Sequence, residues 1–321
     1  MNGCIVINSF FHFNLLSCLW ILSALAILAF HVLISCEFSV AVKLKGLYHY
    51  GKLKMTSCGS VKTSPPEFPL PHFLCSIPKR WFTHFYAVGL CAHSFVFIFV
   101  VSGALGLFFE TGLNDLIRWI SWPCGESGME CSPYPFLFVY FMEWMQISKR
   151  LFECVKVSHF SPGTMSFVHY FYGVFFYSSF GIGLLSSVKM NLGDFPGTIP
   201  REELPYICAG VCVFFVAWYY QHQSMLTLAS LRSGVKEKAS TSHYIPRGHL
   251  FGFVSCPHYF CEMVIYASFC LVFQGRNSFL LAVTLFVWVT QIVSGLLTHR
   301  WYLQTFPSYP RERRAVIPYL L

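Results

Sequence analysis

Charge is scarce in this sequence: 11% of its 321 residues are charged, and only 14 of them are acidic. A soluble globular domain usually carries roughly 25% charged residues. So few charges cannot cover a soluble surface. The composition therefore argues against an ordinary soluble domain and points to lipid as the main solvent.

The common signatures of soluble enzymes and metal sites are missing as well. No C-x-x-C pair occurs among the 14 cysteines, which excludes a zinc-finger or thioredoxin-like motif. No G-x-G-x-x-G, P-loop, H-E-x-x-H or G-x-S-x-G is present. Cys256, His258 and Cys261 have ligand-type side chains, but their spacing matches no standard zinc pattern, so we predict no metal site. Any nucleotide must be held without a standard binding loop.

What the sequence does contain is apolar and aromatic. Hydrophobic residues make up 55% and aromatic residues 19% of the chain, which suits helices that face lipid. A membrane-spanning helix needs about 20 apolar residues. Seven stretches approach this length, at 14–35, 84–108, 134–147, 165–188, 206–226, 259–275 and 278–297. The sequence therefore predicts an all-α integral membrane protein with about seven transmembrane helices.

The basic residues predict how these helices are oriented. The net charge of +8 is not accompanied by a basic arm or an RNA-binding aromatic motif, so we predict no nucleic-acid partner. All but four of the 22 Lys and Arg residues fall on one set of alternate connecting segments. Cytoplasmic loops carry the excess of basic residues. We therefore predict a lumenal N-terminus and a cytosolic C-terminus.

The connecting segments give no sign of a second domain. A proline-rich stretch at 59–71 reads as an irregular cytosolic connector, and no internal repeat is visible. The first apolar run has no Lys or Arg before it, which favours a retained helix over a cleaved signal peptide. Cys124 and Cys131 have the potential to pair if their loop is lumenal. We predict a single membrane domain over residues 1–321.

Polar residues within the apolar stretches are functional candidates, because they are costly in lipid. Glu143, Gln146 and Arg150 recur at helical spacing on one face of the third stretch. That face suits a pocket, or equally a helix–helix hydrogen bond and an arginine that reaches the interface. His84 and His93 lie on different faces of the second stretch. The basic cytosolic rim fits either membrane topology or a phosphate site.

Several ordered strings resemble one enzyme family. They are 231–232 (LR), 245–248 (IPRG), 250–251 (LF), 254–255 (VS), Glu262, 299–302 (HRWY) and 309–321 (YPRERRAVIPYLL). Together they resemble the steroid 5-alpha-reductase family. Two further strings, 78–86 (PKRWFTHFY) and 149–153 (KRLFE), resemble its polyprenol reductase branch. The resemblance covers most of the chain after Tyr50.

The resemblance implies a fold and a cofactor site. Members of the family have seven membrane helices around a lipophilic pocket, with NADPH entering from the cytosol. The residues implied to border the cofactor are Arg150, Arg232, Glu262, His299, Tyr302 and Arg313. Two more are implied by position, because Gln221 and His258 stand where steroid-reducing members have asparagine. Ile147 stands where those members have a tyrosine that holds the ketone, which argues against a steroid substrate.

The resemblance also implies a reaction. Hydride from NADPH reaches a carbon that conjugation with a carbonyl has made electrophilic, while a donor stabilises the enolate oxygen. An isolated allylic alcohol lacks that polarisation, so a polyprenol is expected to be reduced as its aldehyde, polyprenal, on the way to dolichol for N-glycosylation. His299 and Tyr302 are the candidates for orienting the nicotinamide and bonding the enolate. Glu143 and His84 are candidates for the substrate end.

The implied setting is the endoplasmic reticulum membrane, with a long polyprenoid as the partner lipid and no obligate protein partner. Three other interpretations stay open. A steroid or enoyl-thioester reductase would differ only in the pocket. A seven-helix receptor or transporter shares the helix count but leaves the C-terminal strings unexplained, and the sequence has no D-R-Y or N-P-x-x-Y string. An isoprenoid-directed methyltransferase would also have a basic cytosolic tail.

Overall fold

The chain folds into seven long helices within the residues that the structure describes. This computed structural model describes residues 14–36, 77–104, 129–160, 163–189, 197–232 and 244–321. The helices are α1 (Leu15–Ser35), α2 (Phe82–Ala104), α3 (Pro133–Phe152), α4 (Phe167–Ser186), α5 (Leu204–Ser230), α6 (Pro257–Val272) and α7 (Ser278–Thr305). The shorter elements are 3-10 helices Lys79–Trp81 and His249–Gly252, a π-helix Glu153–Val157, and strands β1 (Ile77–Pro78), β2 (Met129–Glu130), β3 (Thr164–Met165) and β4 (Val188–Lys189). The proline-rich 59–71 stretch and Cys124 lie outside the described residues.

Each predicted apolar stretch corresponds to one of these helices. Side-chain caps begin four of them, and the cap residues are Asn14, Ser132, Ser166 and Asn277. The largest difference is at α7, which continues to Thr305 rather than ending near residue 297. The extra two turns carry the HRWY string on a rigid helix.

Five of the seven helices are long and apolar enough to cross a membrane, namely α1, α2 with its preceding 3-10 turn, α4, α5 and α7. The exceptions have identifiable causes. Helix α3 carries Glu143, Lys149 and Arg150 within its 20 residues, and α6 has only 16 residues. The protein is therefore a membrane protein built mostly from helices, and the two exceptions, α3 and α6, each carry a buried carboxyl group, Glu143 and Glu262.

Short backbone pairings show that consecutive helices alternate in direction. Strands β1 and β3 pair next to the start of α2 and the start of α4. Strands β2 and β4 pair at the start of α3 and the end of α4. We call the end with the β1–β3 pair the basic end, because Lys79, Arg80 and Arg150 lie there, and the other end the β2–β4 end.

Side-chain bonds extend the same alternation to α1, α5 and α7. At the β2–β4 end, Asn14 Nδ2 donates to Ser186 Oγ at 2.9 Å, and Asn277 Nδ2 donates to Ser187 Oγ at 2.9 Å. At the basic end, the Arg232 guanidinium after α5 donates to the His159 carbonyl at 2.6 Å. The first and last helices therefore both begin at the β2–β4 end, and the C-terminal segment lies at the basic end.

The core between the helices is largely aromatic. Trp20, Phe180, Phe269 and Phe279 are almost fully buried, and Phe180 contacts the rings of the other two phenylalanines. Outward positions are also apolar, with Phe95 and Leu22 each 64% exposed. Apolar groups on both the inner and outer surfaces are what a lipid-embedded bundle requires.

Candidate active site

A buried cluster of polar groups lies between α3, α5 and α6. Gln146 Nε2 donates to Gln221 Oε1 at 2.9 Å and to Glu262 Oε2 at 3.1 Å. Lys149 Nζ donates to the same Gln221 oxygen at 2.5 Å, and Gln221 Nε2 in turn donates to Glu262 Oε2. We call these four residues the amide–carboxylate cluster. Each is less than 10% exposed.

The local sequence explains how the amide–carboxylate cluster forms. Gln146 and Lys149 are three residues apart and share one face of α3. Lys149 Nζ also donates to the Trp218 carbonyl at 3.2 Å and lies 4.9 Å from the Trp218 ring. Lys149 and Glu262 both hydrogen-bond to the Gln221 side chain, so the lysine is near enough to make burial of the acid less costly. Gln146 Oε1 is buried and has no hydrogen-bond partner within the described part of the chain.

A second polar pair lies one helical turn deeper. Tyr266 follows Glu262 by four residues on α6, which places it about 6 Å further from the basic end. Its hydroxyl donates to Glu143 Oε1 at 3.3 Å. Both residues are 0% exposed, and Glu143 Oε2 has no hydrogen-bond partner among the residues described. An unpaired carboxyl oxygen in an apolar core is available to a polar group of a ligand.

Arg150 belongs to a network at the basic end. Its guanidinium forms an ion pair with Glu153 and lies 5.5 Å from the centre of the Tyr86 ring. The other oxygen of Glu153 is 2.8 Å from His222 Nδ1. Glu153 begins a π-helix, a form that frequently marks functional positions. The network holds Arg150 against α2 and α5.

The C-terminal strings form a third cluster at the basic end. The backbone around Arg314 pairs with Val254, so the tail lies beside the segment that leads into α6. This pairing brings together residues from three parts of the chain, which we call the tyrosine cluster: Ser255, His299, Tyr302, Tyr309 and Arg313. The Tyr302 and Tyr309 rings stack with centroids 5.0 Å apart, and the Arg313 guanidinium lies 5.3 Å from the Tyr309 centroid.

Arg313 is an unusual cation within this cluster. It is 6% exposed, and its guanidinium makes one hydrogen bond to the residues that the structure describes, from NH1 to the Pro246 carbonyl at 3.0 Å. No carboxylate pairs with it in the described portion of the structure. A buried guanidinium with unused donors and no counter-charge favours an anionic ligand. Arg232, by contrast, is exposed near the rim.

The structure therefore groups most of the residues singled out from sequence. Gln221 and Glu262 are in the amide–carboxylate cluster, while His299, Tyr302 and Arg313 are in the tyrosine cluster. The His258 carbonyl accepts from Gln221 Nε2 at 3.4 Å, which places His258 beside the amide–carboxylate cluster. His84 is exposed at the start of α2, with Nδ1 3.1 Å from the Tyr170 hydroxyl. Ile147, at 0% exposure, packs in a small apolar cluster with Tyr86 and Cys154.

Five residues of the site were not singled out from sequence as site residues, namely Lys149, Glu153, Ser255, Tyr266 and Tyr309. For two of them, the sequence contains a spacing that indicates a shared helix face with a residue already named. Lys149 lies three residues after Gln146, and Tyr266 lies four after Glu262, both helical spacings. Among the described residues, no group of three His, Cys, Asp or Glu side chains is suited to bind a metal.

Comparison with known proteins gives a consistent set of relatives. Residues 163–321 match the family described as 3-oxo-5-alpha-steroid 4-dehydrogenase. The chain is 31% identical over 282 residues to the polyprenal reductase of Homo sapiens, which covers 85% of each chain. It is 31% identical to that of Ailuropoda melanoleuca, covering 82% of this chain and 83% of the relative. The Caenorhabditis elegans polyprenal reductase is 31% identical, with 77% and 80% covered.

Proposed function

The chain belongs to the steroid 5-alpha-reductase family, on its polyprenal reductase branch, and from this premise we propose that it reduces the alpha-isoprene double bond of polyprenal with NADPH. Membership makes it an oxidoreductase that acts on a CH–CH group with a nicotinamide cofactor. The product would feed dolichol synthesis and so support N-glycosylation.

The observation that carries the cofactor assignment is the buried Arg313 guanidinium. It has donors to spare and lacks a paired carboxylate within the described ranges. A phosphate would supply both the missing negative charge and the missing acceptors. Arg232 lies exposed at the same end of the bundle and would add a second guanidinium. The residues present therefore fit a phosphate-bearing dinucleotide such as NADPH.

The amide–carboxylate cluster would hold the other end of the cofactor. Gln146 Oε1 has no partner in the described structure, and Glu262 offers carboxylate oxygens beside the Gln221 amide. This mixture of amide and carboxylate groups suits a ligand amide, which needs one acceptor for its N–H groups and one donor for its oxygen. NADPH, when bound, supplies the hydride. Arg150, which Glu153 holds in an ion pair, would border the cofactor at the basic end.

The protein's own residues would polarise the substrate. An aldehyde conjugated to the alpha-isoprene double bond gains negative charge on its oxygen during reduction, and a fixed donor there lowers the barrier. His299 and Tyr302 are our candidates for this donor and for orienting the nicotinamide. Glu143, paired with Tyr266 one turn deeper, is the candidate for the substrate end. His84, exposed at the start of α2, is a further candidate for the substrate end.

We also propose that all seven helices cross the membrane of the endoplasmic reticulum, with the N-terminus lumenal. Alternating helix directions and the concentration of Lys and Arg at the basic end support this orientation. Helices α3 and α6 would be shielded by their neighbours, since the polar groups of both point into the buried clusters. The isoprene tail of the substrate would remain in lipid.

The experiment is a reduction assay with the purified full chain in lipid nanodiscs. Polyprenal, an enone steroid and an enoyl thioester are supplied in parallel, each with NADPH or NADH. We expect polyprenal to be converted to dolichal with NADPH, and His299→Ala to abolish conversion while the protein stays folded. The matched control is His31→Ala, a histidine on α1. We expect poor reduction of the steroid, because Ile147 stands where steroid-reducing members have the tyrosine that holds the ketone. Faster reduction of the steroid than of polyprenal would overturn the substrate assignment.

A further inference from the structure

Tyr309 contacts three residues of the proposed site at once. Its ring stacks on Tyr302 at an interplanar angle of 10°, and Arg313 lies over its face. Its hydroxyl is 2.6 Å from Ser255 Oγ, and that oxygen is 2.7 Å from Nδ1 of His299. Tyr309 is 4% exposed and Ser255 is 1% exposed. A buried hydrogen-bond chain therefore runs from Tyr309 through Ser255 to His299.

The direction of this chain follows from the donors available. A buried tyrosine hydroxyl needs an acceptor for its proton, and Ser255 Oγ is its one hydrogen-bonding partner in the described part of the chain. If Tyr309 donates to Ser255 Oγ, the serine proton is free to point at the next acceptor, which is His299 Nδ1. The reverse direction would leave the Tyr309 proton without an acceptor in a buried site, at the cost of a lost hydrogen bond.

This direction sets the state of the imidazole. A neutral histidine that accepts at Nδ1 carries its proton on Nε2, on the opposite side of the ring. We propose that Tyr309 and Ser255 are positioning residues that lock His299 as the Nε2–H tautomer, so that it enters the reaction as a hydrogen-bond donor. The inference rests on the proposed function, since a donor is what the developing enolate oxygen requires.

The variant that isolates this role is Tyr309→Phe. Phenylalanine keeps the stack on Tyr302, the contact with Arg313 and the burial, and it removes only the hydroxyl. We expect kcat for polyprenal to fall roughly tenfold, the scale of one lost hydrogen bond in the transition state, with KM for NADPH unchanged. Ser255→Ala should give a similar loss. Because both act through one chain, the double variant should lose little more than either single variant.

The matched control is Tyr319→Phe, which removes the same hydroxyl from a side chain that is 80% exposed on the same C-terminal segment. It should leave kcat unchanged. A raised KM for NADPH with normal kcat in Tyr309→Phe would assign Tyr309 to cofactor packing and overturn the proposal. Additive losses in the double variant would also overturn it.

A spectroscopic test separates this inference from the proposed function. The full chain is labelled with 15N-histidine, and the His299 signals are identified by their loss in His299→Gln. We expect an unprotonated Nδ1 and a protonated Nε2 in the wild-type protein, and a mixture of tautomers in Tyr309→Phe. A protonated Nδ1 in the wild type would refute the lock whatever the substrate proves to be. If the tautomer is as expected but polyprenal is not reduced, only the proposed function fails.

Discussion

Replacing Arg313 with methionine tests the cofactor site most directly. The change should leave the cofactor-free protein at least as stable as the wild type, while it weakens NADPH binding. The side chain is 6% exposed, and it makes one hydrogen bond to the Pro246 carbonyl and one contact with the Tyr309 ring. Losing these interactions costs about 1 kcal/mol for the hydrogen bond and a similar amount for the ring contact. Removing a buried cation that has no carboxylate partner among the described residues returns several kcal/mol of desolvation energy. The cofactor-free protein should therefore be as stable as the wild type or more stable.

The affinity for NADPH, in contrast to the stability, should fall in Arg313→Met. One charge-assisted phosphate contact contributes about 1.5 to 3 kcal/mol, so Kd should rise roughly ten- to hundredfold. The assay is thermal unfolding of the full chain in nanodiscs, followed across an NADPH titration. Arg311→Met, at an exposed position of the same segment, is the control for the change in net charge. An NADPH titration of Arg313→Met that matches the control, or a destabilised protein with normal affinity, would refute the reasoning and assign Arg313 to the fold.

Three further predictions concern the amide–carboxylate cluster, the C-terminal segment and the topology. Gln221→Leu should lower the free energy of unfolding by about 1 to 3 kcal/mol in thermal melts, because its partners lose buried hydrogen bonds; an unchanged melting temperature would contradict the cluster. Gly295→Ala places a Cβ 2.0 Å from a side chain of the C-terminal segment, whereas Gly252→Ala meets nothing within 4 Å. Only the former should weaken NADPH binding, and equal affinities would show that the tail position is unimportant. A glycosylation acceptor inserted at 189–205 should be modified and one near Lys236 should not; the opposite pattern would invert the orientation.

Most residues of the candidate site were named from the sequence, but the contacts that group them were not predicted. Gln221 and Glu262 were placed at the cofactor by resemblance, and the structure shows them hydrogen-bonded to each other and to Gln146. Lys149 read from sequence as one of many cytosolic charges. Only the packing of α3 against α5 shows that its ammonium group is buried beside Trp218.

Tyr309 shows why the remainder was out of reach. It lies within a string that was noted from sequence, yet nothing local distinguishes it from the other tyrosines of the segment. Its role depends on a backbone pairing between Val254 and Arg314, two positions separated by a whole helical hairpin. Pairings of this kind depend on tertiary packing and leave no periodic trace in either segment.

The sequence by itself determined the apolar helices, and it predicts which end of the bundle faces the cytosol. Length and hydropathy require the helices, because a backbone in lipid must satisfy its hydrogen bonds within each segment, and the distribution of Lys and Arg predicts which end faces the cytosol. The tertiary structure decided which polar groups meet. Glu143 contacts Tyr266, Gln146 contacts Gln221, and Arg313 contacts no carboxylate within the described ranges. The reason is that burial energy depends on which neighbours surround a group and not on its position in the chain.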